Sequence, residues 1–182
     1  MYKATVLAVL GMIAVASASH LEIPMEAWLA ISPKESLVKM QLHGAHRLGS
    51  TASAVSWSEC ESLRLYDVAT GFAKPNPPIV GDFVGLNLDV ILNDDANIVG
   101  NFISVAFTSE GADTPIPLYS QDFPSTVAKL YDVGDEYTDA LTWYVPPFAP
   151  YGLYQVSVII HGKDKVKENF ACLMAQFSIS AM

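Results

Sequence analysis

The run Phe83-Val84-Gly85-Leu86-Asn87-Leu88-Asp89-Val90 alternates apolar and polar side chains almost throughout. Val84, Leu86, Leu88 and Val90 fall on one side, with Gly85, Asn87 and Asp89 opposite. A period of two is that of a pleated strand with one face in a core. Outward from this run the same rhythm recurs. Asn93-Asp94-Asp95-Ala96-Asn97 supplies a turn, and residues 102–108 then put Ile103, Val105 and Phe107 on one side and Ser104 on the other. Residues 154–160 alternate for most of their length, with Tyr154, Val156 and Val158 in phase, and a polar stretch at 161–165 reads as the next turn. Residues 169–179 form the last strand, with Leu173, Ala175, Phe177 and Ile179 on one face. Shorter strand candidates lie at 62–68, 116–120 and 137–145. Seven short strands, regular turns and almost no helix predict an all-β, immunoglobulin-like two-sheet β-sandwich.

The region upstream has a different character. Met1-Tyr2-Lys3 is a short basic start, residues 4–15 are apolar, and Ala16-Ser17-Ala18 is a small-residue cleavage site. Residues 1–18 therefore read as a secretory signal peptide. The alternative, a membrane anchor, needs about 20 apolar residues, and no second long apolar run follows. The mature chain is expected to be soluble, either secreted or in an endolysosomal or other endomembrane lumen. It contains no Asn-x-Ser/Thr acceptor.

Residues 19–54 read as a helical or irregular extension. Ser32-Pro33-Lys34-Glu35 is a capping-box helix start, Leu37, Met40 and Leu42 make a short apolar stripe, and Met25, Trp28 and Leu29 have helical spacing. Residues 44–53 are linker-like. The extension is expected to pack loosely or to be removed as a propeptide; the alternative is a helical lid over a pocket. Residues 55–182 form the folded domain. A hydrophobic content of 51% is ample for its core, and a net charge of −9 argues against nucleic acid and against electrostatic attachment to anionic membranes.

The two cysteines bracket this domain, Cys60 within Ser56-Trp57-Ser58-Glu59-Cys60 and Cys172 in the last strand. In an oxidising compartment such a pair is expected to bond. Closing so long a loop stabilises by about 4–5 kcal/mol in the chain-entropy model. Enzymatic readings find little support. His43-Gly44-Ala45-His46 has metal-ligand spacing but no cysteine or carboxylate near it in sequence. Asp94-Asp95 reads as a solvated turn before it reads as a calcium site. No nucleophile elbow, phosphate-cradling loop or zinc-protease motif occurs. No catalytic residue, metal ligand or cofactor site is nominated.

Three further segments stand in a distinctive order: Pro75-Asn76-Pro77-Pro78-Ile79-Val80-Gly81-Asp82 before an alternating strand, Pro115-Ile116-Pro117-Leu118, and Pro150-Tyr151-Gly152-Leu153-Tyr154-Gln155-Val156-Ser157-Val158 followed by Gly162-Lys163-Asp164 and Phe170-Ala171-Cys172. With Trp57-Ser58-Glu59-Cys60 in front, this order resembles the myeloid differentiation factor-2-related lipid-recognition (ML) family. That family takes in the Niemann–Pick type sterol carrier, mite group-2 allergens, fungal phospholipid-transfer proteins and, more distantly, the ganglioside activator. The resemblance covers about residues 55–179. It implies a sandwich whose interior cavity holds a lipid or sterol, with first and last cysteines bridged, here Cys60 and Cys172. Most relatives carry two further disulfides. This chain has no cysteines for them, so loops at 75–78 and 119–130 must keep their shape otherwise.

The lining that the resemblance implies is Val84, Leu86, Leu88, Ile103, Val105, Phe107, Ile116, Tyr144, Phe148, Tyr154, Val156, Val158, Leu173 and Phe177. Each of these is equally at home in an ordinary core. Lipid would enter between the sheets near residues 115–123 and 143–151. The expected partners are a lipid or sterol ligand and a membrane or lumenal lipid-handling protein, with the carrier a monomer. A secreted adhesion or recognition module with a solid core is the competing reading, and an accessory protein presenting lipid to a lumenal hydrolase is a third. An apolar void of about 300 Å³ or more favours a carrier, and a filled interior the module.

Overall fold

The computed structural model describes residues 19–24, 26–28, 50–60, 66–162 and 169–182. The leader at 1–18, the helix start at 32–35 with its stripe, Met25, Leu29, His43, His46 and the turn residues 163–165 lie outside the described residues. Ten strands form among the described ones: β1 (Ser19–Leu21), β2 (Ser50–Ala52), β3 (Ser56–Glu59), β4 (Tyr66–Lys74), β5 (Phe83–Leu92), β6 (Ala96–Ser109), β7 (Ile116–Tyr131), β8 (Glu136–Tyr144), β9 (Gly152–Gly162) and β10 (Asn169–Ala181). One sheet has the order β1-β8-β5-β4. The other runs β2-β10-β9-β6-β7, and β3 also pairs with β10. Pairing is antiparallel except for β1, which lies parallel to β8.

The alternation that predicts the strands also defines the core. Val84, Leu86, Leu88, Val90 and Leu92 of β5 are buried, facing Ile103, Val105 and Phe107 of β6, Tyr154, Val156, Val158 and Ile160 of β9, and Leu173, Ala175, Phe177 and Ile179 of β10. In β6 the buried positions change parity, from Ala96 and Ile98 to Asn101, Ile103 and Val105. The cause is a register shift between Ile98 and Gly100 against both neighbours. Such a bulge adds a residue and turns the following side chains to the other face.

Several expectations are corrected. The described parts of the 19–54 region include strands as well as a helical turn at 26–28: β1 extends one sheet and β2 the other. Residues 56–59, expected to precede the first strand, pair with Leu173–Gln176 as β3. The loop expected at 119–130 belongs to β7, paired along β6 with one interruption. His161 and Gly162 end β9 rather than beginning a turn. Local composition is silent on all of these, because short or polar edge segments take their strand form from the neighbour that pairs with them.

Cys60 and Cys172 are bonded, with Cα atoms 5.1 Å apart, and the Cys60 N–H also donates to the Cys172 carbonyl at 3.0 Å. Hydrogen bonds hold the 75–82 loop. Asn76 Oδ1 accepts from Val55 N at 2.8 Å, Gly81 N donates to Val145 O at 2.7 Å, and Val145 N donates to Asp82 O at 3.1 Å. Among the β4 side chains described, from Ala69 onward, Ala69, Gly71 and Ala73 are the partly buried positions. Their small size makes room for Trp57: a Cβ built on Gly71 would lie 2.1 Å from the indole. Trp57 thereby ties β3 of one sheet to β4 of the other.

Candidate functional site

The connections β4–β5, β6–β7 and β8–β9 gather at one end of the sandwich. β1 runs along Leu141–Trp143 and delivers residues 22–24 and 26–28 to the same end. Pro24 starts a single turn there, its carbonyl accepting from Ala27 N at 3.0 Å and Trp28 N at 3.4 Å. The turn buries Trp28, whose ring packs against Phe148 at 6.3 Å and Tyr154 at 6.0 Å between centroids. Below lies an aromatic floor. Tyr154 contacts Phe107 at 5.0 Å, Trp143 at 5.8 Å and Phe177 at 5.7 Å, all four being almost fully buried. The Tyr154 hydroxyl donates to Pro150 O at 2.8 Å, which satisfies its one polar atom inside this cluster.

Between this floor and solvent is a pocket of about 280 Å³, lined by Glu22, Ile23, Trp28, Phe83, Tyr144, Pro146 and Phe148. Phe83 and Tyr144 form its rim, 49% and 36% exposed, with ring centroids 5.1 Å apart. Apart from Glu22 and the Tyr144 hydroxyl, the lining side chains offer aromatic and aliphatic surface. Such a wall suits hydrocarbon or a ring system rather than a charged solute. Among the described residues no group of three or more His, Cys, Asp or Glu side chains gathers to hold a metal ion.

The structure sorts the sequence-nominated residues into three groups. Tyr144 and Phe148 line the pocket, with Tyr154 behind Trp28. Val84, Leu86, Leu88, Ile103, Val105, Phe107, Val156, Val158, Leu173 and Phe177 pack between the sheets. Ile116 is 44% exposed at the start of β7. The interior cavity expected between the sheets is not found where Leu86, Leu88, Ile103 and Val158 meet: the void there, shared with Trp57, Asp139, Ala140 and Leu141, is about 10 Å³. Inner side chains of a sandwich about 10 Å thick fill it by interdigitating. Glu22, Ile23, Trp28, Phe83 and Pro146 are the pocket residues that the sequence does not nominate. The helical spacing of Trp28 with Met25 and Leu29 is visible, but nothing local tells which core a tryptophan enters.

No family model matches the chain. Over 102 residues, 56% of this chain and 68% of the relative, it is 28% identical to a Dictyostelium discoideum protein named "Putative phosphatidylglycerol/phosphatidylinositol transfer protein". Among solved structures it is similar to chicken MD-1 complexed with lipid IVa, at 12% identity and a TM-score of 0.43, covering 72% of this chain and 97% of that one. It is also similar to a Niemann-Pick type C2 protein from Japanese carpenter ant, at 13% identity and a TM-score of 0.39, covering 70% and 90%. The chain is thus similar in sequence to a protein named for lipid transfer, and it carries the bridged two-sheet sandwich expected of the lipid-recognition family it resembles.

Proposed function

We propose that the protein binds a lipid or sterol and holds its apolar part within the sandwich, for transport or presentation. The observation that carries this reading is the aromatic pocket of about 280 Å³ under Trp28, opening at the sandwich end and floored by Tyr154. Its volume is close to the ~300–1,000 Å³ of typical small-molecule sites. A whole lipid needs more room, which comes from parting the sheets or lifting the 22–28 turn. Burying about twelve methylenes gains on the order of 10 kcal/mol before association costs. The ligand enters between the sheets beside residues 143–151 and leaves a polar head at the rim formed by Phe83 and Tyr144. The role is that of a carrier, not an enzyme, acting as a monomer with a membrane or a lumenal lipid-handling protein as its partner. Residues 1–18 and the Cys60–Cys172 bridge support a secreted or lumenal location.

Native mass spectrometry of the purified protein before and after organic extraction tests this. The expected result is a co-purified or reloadable lipid from among sterols, fatty acids and phospholipids. Finding none across the three classes overturns the proposal. It would leave the adhesion module, which the closed interior around Leu88 favours.

A further inference from the structure

Among the described residues, a polar pair bridges the two sheets inside the sandwich. Asn101, on the inner face of β6 because of the bulge before it, donates from Nδ2 to Asp139 Oδ2 on β8. Asn101 is only 7% exposed, and its other polar atom, Oδ1, has no hydrogen-bond partner. A buried carbonyl left without a donor keeps its full desolvation cost with nothing to offset it. Asp139 also borders the closed void, whose remaining side chains are Trp57, Leu86, Leu88, Ile103, Ala140, Leu141 and Val158. Burial raises the pKa of Asp139, and the Tyr137 hydroxyl interacts with both members of the pair. The site therefore consists of an orphaned acceptor and, hydrogen-bonded beside it, a desolvated carboxyl facing a closed void of about 10 Å³ with mainly aliphatic walls.

What such a site lacks is a hydrogen-bond donor small enough for the void. Asp139 stands five positions before Tyr144 on β8. At ~3.3 Å per residue this is about 17 Å, which an extended chain of about twelve carbons spans together with the ~2.8 Å hydrogen bond made by its hydroxyl. We propose that Asn101 and Asp139 form an inner polar subsite that takes a hydroxyl borne partway along a lipid chain whose head group stays at the pocket rim. The hydroxyl donates to Asn101 Oδ1 or to Asp139, while the chain runs past Leu141 between Leu86, Leu88, Ile103 and Val158. This inference rests on the lipid-binding reading. It goes beyond it by naming hydroxylated acyl lipids as the preferred class.

The test is a matched pair of probes, 12-hydroxyoctadecanoic and octadecanoic acid, titrated against the delipidated full chain. A site built to pair a hydroxyl discriminates against the analogue that lacks it, here by about tenfold or more in Kd. Asn101→Leu is expected to keep octadecanoic acid binding and to abolish the preference. The wild-type ratio decides the matter even where that variant folds poorly. Equal affinity of the wild type for both acids overturns the subsite and leaves lipid binding intact. Binding of neither acid overturns the subsite and counts against the lipid reading as well. A preference that survives in folded Asn101→Leu and Asp139→Leu places recognition elsewhere and overturns the assignment.

Discussion

The indole of Trp28 meets the ring of Phe148 edge to face, with centroids 6.3 Å apart and planes at 88°. A segment that precedes most of the sandwich and the connection between β8 and β9 thus close the same pocket. Phe148 is only partly buried and adjoins open volume, whereas Phe107 is packed on all sides. Phe148→Ala is expected to weaken lipid loading while destabilising by less than the ~3–5 kcal/mol of a core phenylalanine truncation, which Phe107→Ala should show in full. Denaturation curves and lipid loading of the two variants check this. Equal stability losses with loading untouched in Phe148→Ala would refute its place in the pocket.

Gly71 and Trp57 occupy one space. Because a Cβ at residue 71 would sit 2.1 Å from the indole, Gly71→Ala must displace Trp57 and is expected to destabilise by about 1–3 kcal/mol through overpacking. In a Trp57→Ala background the obstruction is gone, so the same change should be nearly neutral. A double-mutant cycle measured by denaturant unfolding gives the coupling; additive effects would contradict the contact.

Cys172→Ser is expected to destabilise by about 2–5 kcal/mol and to leave Cys60 as a thiol prone to intermolecular pairing. Thiol titration of the wild-type protein under denaturing, non-reducing conditions should find none, and two reactive thiols would contradict the bridge. The variant's loss in melting temperature should resist reversal by reductant, while the wild type should lose stability when reduced.

Desolvation raises the pKa of Asp139 above its ordinary value of 3.8. The folded protein therefore binds the proton more tightly than the unfolded chain. Relative to Asp139→Asn, wild-type stability should rise as pH falls through the raised value and level off below about 3.8. Paired chemical denaturation from pH 7 to pH 3 measures the difference. A flat difference, or one of opposite sign, would show that Asp139 is not held in a desolvated site.

The strands that form the core were legible because they alternate. Val84 to Val90, Ile103 to Phe107 and Leu173 to Ile179 each carry the period-two pattern that a half-buried strand requires, and all are buried as that pattern predicts. β1, β2 and β3 carry no such pattern. Each is three or four residues long and exists because a longer strand offers it hydrogen bonds. The change of face at Asn101 was equally hidden, since a bulge is a property of the register between strands.

The candidate site divides in the same way. Phe148 and Tyr144 were reached through a family resemblance, whereas Trp28, Ile23 and Phe83 were reached only through the fold. By itself the sequence determined the sandwich class, the inner faces of its main strands and, with only two cysteines present, the one intramolecular pairing open to them. Only the tertiary structure decided that the interior closes around Leu88, that an aromatic pocket opens under Trp28, and that Asn101 and Asp139 meet between the sheets. The physical reason is that alternation is a local property of the chain. Cavity size and polar pairing depend instead on how two sheets approach, which is set by contacts between residues far apart in sequence.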